Sequence, residues 1–119
     1  MTQNLYHYRT TVVAVYDGDT CTVDVDLGWS TWVRSQKLRL HRINAPEMRG
    51  AEKEAGTLAR DFLRSLIMDK KIVVETIKDN TEKYGRYLAE IWLDQEGQWI
   101  NVNDLMVAKG FAVYHDYRG

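Results

Sequence analysis

The stretch RINAPEMRG, residues 42–50, contains the only proline of the chain, Pro46, and separates two different sequence patterns. Before it, the segment KLRLHRI alternates basic and apolar residues, which is typical of a β-strand. After it, apolar residues recur at helical spacing. Proline fixes its own φ and disfavours the helical conformation in the residue before it. We therefore predict that Pro46 forms a rigid corner, at which a strand ends and the chain turns toward a helix.

Three strands are predicted before this corner. Residues 10–16 (TTVVAVY) are rich in β-branched side chains, which favours a largely buried strand. The turn Asp-Gly-Asp follows, in which we expect Gly18 to supply the positive φ of a tight hairpin. Residues 20–27 then alternate apolar and polar side chains, with the period of two of a half-buried strand. The segment GWST turns the chain into a third strand, residues 32–43.

Two helices and two strands are predicted after the corner. An apolar stripe in residues 51–71 indicates a helix that packs on the core. Three of its members are expected to seal that core: Leu58, Phe62 and Leu66. KIVVETI (residues 71–77) and YLAEIWL (residues 87–93) are typical of strands, with a polar loop between them. Asn101 is the predicted N-cap of a short helix, and Gly110 its C-terminal stop.

The resulting order is three strands, a helix, two strands and a short C-terminal helix, an α+β chain that is mainly β. A five-stranded Greek-key barrel of the OB type fits this order, because it places a helix between strands 3 and 4. A helix packed on a flat antiparallel sheet would give the same order, so that alternative stays open. With 119 residues and 45% hydrophobic content, we expect residues 1–119 to form a single domain.

The composition narrows the classes of function. The formal net charge is −1, whereas a domain that holds nucleic acid by electrostatics alone is usually basic, so nucleic-acid chemistry would need a local site. Cys21 is the only cysteine, which excludes an intramolecular disulfide. No run approaches the roughly 20 apolar residues that span a bilayer, so we expect no membrane partner. The first residues lack the pattern of a signal peptide, so we expect an intracellular chain unless a leader was removed.

Two acidic segments follow predicted strands. Asp17 and Asp19 flank Gly18 in the first hairpin, and Asn44 to Glu47 form the corner. Carboxylate, amide and main-chain carbonyl oxygens are the ligands that hard cations such as Ca²⁺ prefer. The rigid corner would hold a main-chain carbonyl in place for such a cation. Taken together, the two segments indicate a metal site.

Two arginines indicate that this site can also bind phosphate. Arg39 lies on the strand that leads to the corner, and Arg86 lies where a loop enters the fifth strand. Guanidinium groups bind phosphate oxygens in a bidentate manner and stay charged at any working pH. We interpret four other cationic residues as solvated surface positions, the last two being candidates for phosphate contacts: Arg34, Lys37, Arg42 and Arg49.

Four segments, in this order and at this spacing, resemble the staphylococcal nuclease (thermonuclease) family: VVAVYDGDT, KLRLHRINAPE, EKYGRYLAEIW and NVNDLMVAKGFA. Each segment alone is weakly specific, but the four extend over residues 12–113. The resemblance implies an OB-fold barrel with helices packed on it. It also implies a Ca²⁺-dependent endonuclease, a phosphodiesterase that hydrolyses DNA and RNA with little sequence preference and leaves 3′-phosphates. We expect it to act as a monomer.

The resemblance also implies roles for single residues. Asp19 corresponds to a metal-ligand aspartate, and the main-chain carbonyl of Ala45 to a backbone ligand of the metal. Arg39 and Arg86 correspond to the two arginines that neutralise the phosphate during attack. Glu47 corresponds to the glutamate that acts on the attacking water, as a general base or by orienting it.

The resemblance also implies two substrate contacts, and the chain differs from the family pattern at one metal-ligand position. Lys83 and Tyr84 correspond to residues that touch a substrate phosphate. Asn44 stands where the best-known members carry an aspartate ligand; its amide oxygen can still bind Ca²⁺, but the site loses one negative charge. Asp17 and Asp24, both near the first hairpin, are candidates to supply that charge.

Three interpretations follow from these residues. The leading one is a metal-dependent nuclease, supported by the acidic segments and both arginines. The second is a nuclease-like barrel that binds nucleic acid without cutting it, which Asn44 favours. The third is a protein–protein adaptor on the same scaffold, supported only by Trp29 and Trp32, which we expect to be exposed.

Overall fold

A computed structural model describes residues 5–81 and 84–115. Its elements, in chain order, are β1 (His7–Asp17), β2 (Thr20–Gly28), β3 (Thr31–Leu40), β4 (Ile43–Asn44), a 3-10 turn (Gly50–Glu52), α1 (Lys53–Ile67), β5 (Lys71–Thr81), β6 (Tyr87–Gln95), β7 (Gln98–Asn101), α2 (Val102–Ala108) and β8 (Val113–Tyr114). The predicted order of long strands and helices is confirmed, and β4, β7 and β8 are short additions to it. Within the described residues, neither helix is long and apolar enough to cross a membrane.

Five strands close into a barrel. The main sheet has the order β3-β2-β1-β5-β6-β7. Its strands are antiparallel, except that β3 also pairs in parallel with β6, through Leu38↔Tyr87, Arg39↔Leu88 and Leu40↔Ala89. This pairing joins β1, β2, β3, β5 and β6 into a closed ring, with α1 between the third and fourth strands of the ring. The predicted five-stranded OB-type barrel is therefore confirmed, and the flat-sheet alternative is wrong.

Alternation along the strands places the core inside this barrel. In β2, Cys21, Val23 and Val25 are buried, while Thr22 and Asp24 are only partly covered. The apolar side of each strand therefore faces the interior, as a period of two requires. Burial also raises the pKa of the Cys21 thiol to about 12, so this cysteine is a packing residue.

Helix α1 packs its apolar stripe on the core as predicted, but the centre of the buried face lies elsewhere than expected. Its buried positions are Gly56, Ala59, Leu63 and Ile67. Leu58 is 56% exposed, so its prediction as a core residue is wrong. Phe62 and Leu66 are partly buried against the core, and Phe62 stacks on Phe111 with ring centroids 4.5 Å apart. A broad apolar stripe indicates a helix, but it does not fix which of its residues lies at the centre of the buried face.

Several element boundaries also differ from the prediction. β3 ends at Leu40 because Arg42 adopts a φ of 70°, and the two residues after it pair with β8 instead of prolonging β3. β5 continues to Thr81, into the segment predicted as a polar loop. α1 begins only at Lys53, after the 3-10 turn. The N-cap prediction is confirmed, since the side chain of Asn101 accepts a hydrogen bond from the main-chain N–H of Asp104.

Two glycines allow the first hairpin, the corner and α1 to approach one another closely. Gly18 does not adopt the positive φ that we expected. Instead, a Cβ at this position would lie 2.7 Å from the Cβ of Ala45 and 2.8 Å from that of Ala59. A Cβ on Gly56 would collide with the main-chain carbonyl of Glu47. Both glycines are therefore required by close packing, which brings the acidic hairpin against the corner.

Two leucines of α1 provide a matched test of its orientation. Leu63 is fully buried, so Leu63→Ala should leave a cavity and lower the free energy of unfolding by about 2–5 kcal/mol. Leu58 is mostly exposed, so Leu58→Ala should change that free energy by less than about 0.5 kcal/mol. Urea denaturation of both variants measures the difference. Equal losses in the two variants would contradict the packing described.

Candidate functional site

The carboxylate of Asp19 lies at the centre of the site and is almost fully buried, with the residue 7% exposed. Its Oδ2 accepts a hydrogen bond of 2.7 Å from the main-chain N–H of Ala45 and lies 3.2 Å from Nη2 of Arg39. Its Oδ1 accepts a 3.3 Å hydrogen bond from the hydroxyl of Thr20. One carboxylate therefore connects the first hairpin, β3 and the corner.

Burial controls the protonation of Asp19. Its pKa is raised from 3.8 to about 7, chiefly because loss of water disfavours the charged form. The carboxylate of Asp17 adds to the rise, whereas Arg39 and the N–H of Ala45 lower the pKa. Asp17 also accepts a 3.0 Å hydrogen bond from the main-chain N–H of Asp19, which keeps the two residues together. A cation beside them would replace part of the lost solvation, so this pair of acids favours cation binding.

Arg39 is the buried positive charge of the site, 6% exposed. Its Nη2 donates to Oδ1 of Asn44 at 3.1 Å, and its Nη1 donates to the main-chain oxygen of Leu40 at 2.9 Å. Asp19 is a third partner. The guanidinium is therefore held in one orientation by the turn before β2, by the end of β3 and by β4. Its position is therefore fixed before any ligand arrives.

Arg86 reaches the same site from the segment before β6. Its Nη1 donates a 3.2 Å hydrogen bond to the hydroxyl of Thr20, and that hydroxyl donates in turn to Asp19. Its guanidinium carbon lies 5.2 Å from the ring centroid of Tyr84, which is 72% exposed. Arg39 is thus linked to Asp19 directly, and Arg86 is linked to it through Thr20. Lys83, the other predicted substrate contact, lies outside the described residues.

Glu47 lies at the far side of the corner and is exposed. Its main-chain N–H donates a 2.9 Å hydrogen bond to Oε2 of Glu52, and its carbonyl packs against Gly56. The main chain of Glu47 is therefore fixed by α1 and the turn before it. Its carboxylate makes no hydrogen bond or ion pair with any residue in the described parts of the chain, so the structure does not join it to Asp19 or the arginines.

Arg42, which we considered for phosphate contacts, belongs to a separate structural network. Its Nε and Nη2 donate to the two carboxylate oxygens of buried Glu90 at 3.0 and 2.7 Å, and Nη2 also donates to Asp104 at 2.9 Å. The hydrogen bond to Glu90 is the largest cause of a raised Arg42 pKa. Tyr114 donates to Asp104 at 2.9 Å. The network fastens the start of the corner to β6, α2 and β8, and it commits the guanidinium of Arg42 to acidic side chains.

The oxygen atoms of the site are of the kind that a hard cation binds. Asp19 offers a carboxylate and Asn44 an amide oxygen, both within hydrogen-bond distance of the same Arg39 nitrogen, and Ala45 follows Asn44 in the chain. Among the residues that the structure describes, no three His, Cys, Asp or Glu side chains are grouped for metal binding. A metal here would therefore depend on the amide and main-chain oxygens that the sequence pattern indicates.

Two contributors to the site were missed from the sequence, and one candidate lies elsewhere. Thr20, which joins Arg86 to Asp19, and Glu52, which holds the main chain of Glu47, were not identified. For Thr20 a signal existed, because it begins β2 directly after the acidic turn. Asp24, considered as a source of negative charge near the metal, instead accepts hydrogen bonds from Arg34 and Ser35 in the β2–β3 hairpin. Asp17 is therefore the acidic neighbour of Asp19.

Comparison with known proteins identifies the family. A sequence profile described as staphylococcal nuclease homologue matches residues 37–119. The chain belongs to the staphylococcal nuclease family. The matched range contains Arg39, Asn44, Glu47 and Arg86 and three of the four segments, and the resemblance is confirmed.

Individual proteins that are similar to the chain are longer than it. It is 34% identical to protein ParB of Escherichia coli over 93% of its own length and 59% of that protein. It is 31% identical to a thermonuclease of Staphylococcus hyicus over 90% of its length and 59% of that protein. An uncharacterized protein of Methanocaldococcus jannaschii is 30% identical over 89% of the chain and 58% of its own length. The chain thus spans less than two thirds of these relatives, and family membership indicates a nuclease-type domain.

The raised pKa of Asp19 predicts a pH dependence of stability in a chelating buffer. Between about pH 4 and 7 the folded protein keeps a proton on Asp19 that the unfolded chain has released, so the free energy of unfolding should fall as the pH rises. Asp19→Asn should remove that fall, which is at most about 1.4 kcal/mol per pH unit. Urea denaturation at several pH values measures the slope. Asp69→Asn, at an exposed carboxylate after α1, should keep the wild-type slope, and an unchanged slope in Asp19→Asn would contradict the assignment.

Proposed function

We propose that the chain is a metal-dependent phosphodiesterase that hydrolyses DNA and RNA, with Ca²⁺ as its cofactor and 3′-phosphate products. The observation that carries this proposal is the fixed, buried Arg39 held between Asp19 and Asn44, with Arg86 joined to the same carboxylate through Thr20. Residues 1–119 would act as one nuclease domain, as a monomer and with little sequence preference. The four ordered motifs and the family membership support the same activity.

The two arginines account for the charge that develops during hydrolysis. Attack on a phosphodiester places additional negative charge on the oxygens around phosphorus. The guanidinium groups of Arg39 and Arg86 can donate in a bidentate manner to those oxygens. Because Arg39 is already oriented by three partners, it would need no rearrangement as the charge develops. Tyr84 and Lys83 would contact a neighbouring phosphate of the strand.

Asp19, Asn44 and the main-chain carbonyl of Ala45 would hold the metal ion, with Asp17 as the nearest additional carboxylate. When bound, Ca²⁺ supplies positive charge that neutralises phosphate oxygens and lowers the pKa of a water molecule. Asp19 would bind as the carboxylate, so metal and proton compete for the same oxygens. The raised pKa of this side chain makes that competition relevant near neutral pH.

Glu47 would act on the attacking water, as a general base or by orienting it. Its main chain is fixed by Glu52 and Gly56, while its carboxylate is exposed and has no partner in the described parts of the chain. That arrangement suits a group whose partner is a solvent molecule. A carboxylate already tied to an arginine would be a weaker base.

A second candidate function is a module that binds nucleic acid without cutting it. Asn44 favours it, because an amide in place of a carboxylate lowers the charge available to a metal. The buried ion pair of Asp19 and Arg39 argues against it, because desolvating both charges has no evident benefit for a domain without catalysis. The nuclease therefore accounts for more of the site.

Conservative variants test the catalytic assignment. Glu47→Gln, Arg39→Lys and Arg86→Lys should each lower kcat on single-stranded DNA by about 10²–10³-fold, since each removes one positioned charge or its bidentate geometry. Arg60→Lys, at a residue paired with Asp61 on α1, is the matched control and should cut at the wild-type rate. Circular dichroism confirms that the variants fold. Wild-type rates in all three site variants would show that the site is assigned wrongly.

The amide of Asn44 provides a test of the metal site. Asn44→Asp should lower the Ca²⁺ concentration needed for half-maximal rate, because affinity in such sites follows ligand charge. Gln98→Glu adds the same charge on the exposed part of β7 and should leave that concentration unchanged. The rate of DNA hydrolysis, measured against Ca²⁺ concentration for the parent and both variants, tests this prediction. An inactive parent with an active aspartate variant would favour the binding module, and an unchanged requirement would mean that Asn44 is not a ligand.

A further inference from the structure

The β2–β3 hairpin carries one continuous outer face that begins at the candidate site. The register pairs along it are Thr20↔Arg39, Thr22↔Lys37 and Asp26↔Trp32. Alternate residues of β2 face the same side, so these three pairs share one face of the hairpin. Arg39, Lys37 and Trp32 therefore follow one another from the site toward the hairpin tip.

A β-bulge in the middle of this hairpin directs Arg34 onto Trp32. Ser35 adopts a φ of 55° where the register of the two strands shifts. The carboxylate of Asp24 accepts two hydrogen bonds of 3.0 Å, one from the main-chain N–H of Ser35 and one from Nη1 of Arg34. The guanidinium carbon of Arg34 then lies 4.7 Å from the ring centroid of Trp32. Bulges re-aim side chains in this way. The result is a cation–indole pair on the outer face, with Trp32 still 40% exposed.

The tip of the hairpin holds a second tryptophan at an unfavourable position. Trp29 and Ser30 form the two-residue loop, with φ of 57° and 58°. Such loops favour Asn and Gly, because a larger side chain is strained at positive φ. Trp29 is nevertheless 96% exposed, so no packing compensates for the strain. A strained, fully exposed aromatic residue is a reason to expect a ligand.

On this face, Lys37 is the cation that the described residues leave unpaired. Asp24 is occupied by Arg34 and Ser35, and Asp26 accepts a 2.8 Å hydrogen bond from the main-chain N–H of Gly28. Lys37 is exposed and forms no ion pair with any residue in the parts of the chain that the structure describes. The face therefore combines indole surfaces with a cation between them and Arg39.

We propose that this face, defined by Lys37, Arg34, Trp32 and Trp29, is an extended binding surface for single-stranded nucleic acid. Lys37 contacts a phosphate, and unpaired bases stack on the two indoles. The proposal rests on the proposed nuclease function, because continuity with Arg39 is what selects a nucleic acid over a protein partner. A duplex has its bases already stacked inside, so this surface selects unpaired strands.

The length of the face sets the size of the substrate. Trp32 and Arg39 pair with Asp26 and Thr20, six residues apart on β2, which is about 20 Å at ~3.3 Å per residue. A stacked strand rises about 3.4 Å per nucleotide, so about six nucleotides would join the candidate site to Trp32. Short substrates would therefore use the site alone.

Binding to an oligothymidylate of about 20 nucleotides, measured by fluorescence anisotropy with a chelator present, tests the surface without hydrolysis. Loss of one stacking platform should weaken binding by about tenfold, so Trp32→Ala should show that loss and Trp32→Phe should retain most of the affinity. Val33→Ala is the matched control, because Val33 lies on the opposite face of the same hairpin and is exposed to a similar degree, 37%. A duplex of equal length should bind wild type and Trp32→Ala equally.

Trp29→Asn separates binding from stability. Asparagine tolerates positive φ, so this variant should unfold at the same or a higher temperature and yet bind the oligothymidylate more weakly. Wild-type affinity in both tryptophan variants would overturn the proposal. So would a wild-type dimer that the tryptophan variants abolish without any change in oligonucleotide affinity, because that result would assign the face to a protein contact.

Hydrolysis of two substrates distinguishes this proposal from the nuclease function itself. Trp32→Ala should lower kcat/KM on long single-stranded DNA by about tenfold and leave that on bis(p-nitrophenyl) phosphate unchanged, since the small diester reaches only the candidate site. A wild-type protein that cuts neither substrate but loses oligothymidylate affinity in Trp32→Ala would refute the nuclease and retain the binding surface. Equal losses on both substrates would refute the surface and retain the nuclease.

Discussion

The carboxylate of Asp19 is buried, and three separate segments of the chain have to meet around it. Removing a carboxylate from water costs several kcal/mol unless charged and hydrogen-bonding partners replace the water. Arg39 from β3, the N–H of Ala45 at the corner and the hydroxyl of Thr20 supply those partners, and the raised pKa of Asp19 reflects the part of the cost that they do not offset. If the hairpin, the strand or the corner moved independently, the charge of Asp19 or Arg39 would become exposed or would stay buried without a partner. Gly18 makes the meeting possible, because any side chain there would strike Ala45 and Ala59.

Much of the fold could be predicted because local patterns determine it. The alternation of β2 and the cap at Asn101 each reflect contacts within a few residues. The parallel pairing of β3 with β6, which closes the barrel, joins residues about 50 positions apart and leaves no local signal. The break at Arg42 was also hidden, since arginine carries no preference for positive φ. Leu58 was misassigned because a broad apolar stripe does not show where its centre lies.

For the candidate site, the sequence predicts several of the residues but not the main-chain contacts that position them. Residue types and motif order predict that Asp19, Arg39 and Asn44 belong to one site, and in the structure Arg39 contacts both of the others. The roles assigned to them stay predictions. An Asp-Gly-Asp sequence predicts a turn former at Gly18 and does not reveal close packing. Gly56 carries a stronger signal of close packing, because a glycine within a helix reduces stability unless another group must come close. Contacts made by main-chain atoms, such as the N–H of Glu47 with Glu52, leave no trace in residue types.

A net charge of −1 raises the question of how such a domain could hold a polyanion. The chain carries 16 Lys and Arg against 17 Asp and Glu, so long-range attraction of nucleic acid is weak. Two of these arginines are also committed to acidic side chains, Arg42 to Glu90 and Asp104, and Arg34 to Asp24. Affinity would have to arise at short range, from a metal ion at Asp19 and from stacking that salt does not screen. An exposed, strained indole at the hairpin tip is understandable in a protein under that constraint, whereas a basic domain would have little need of it.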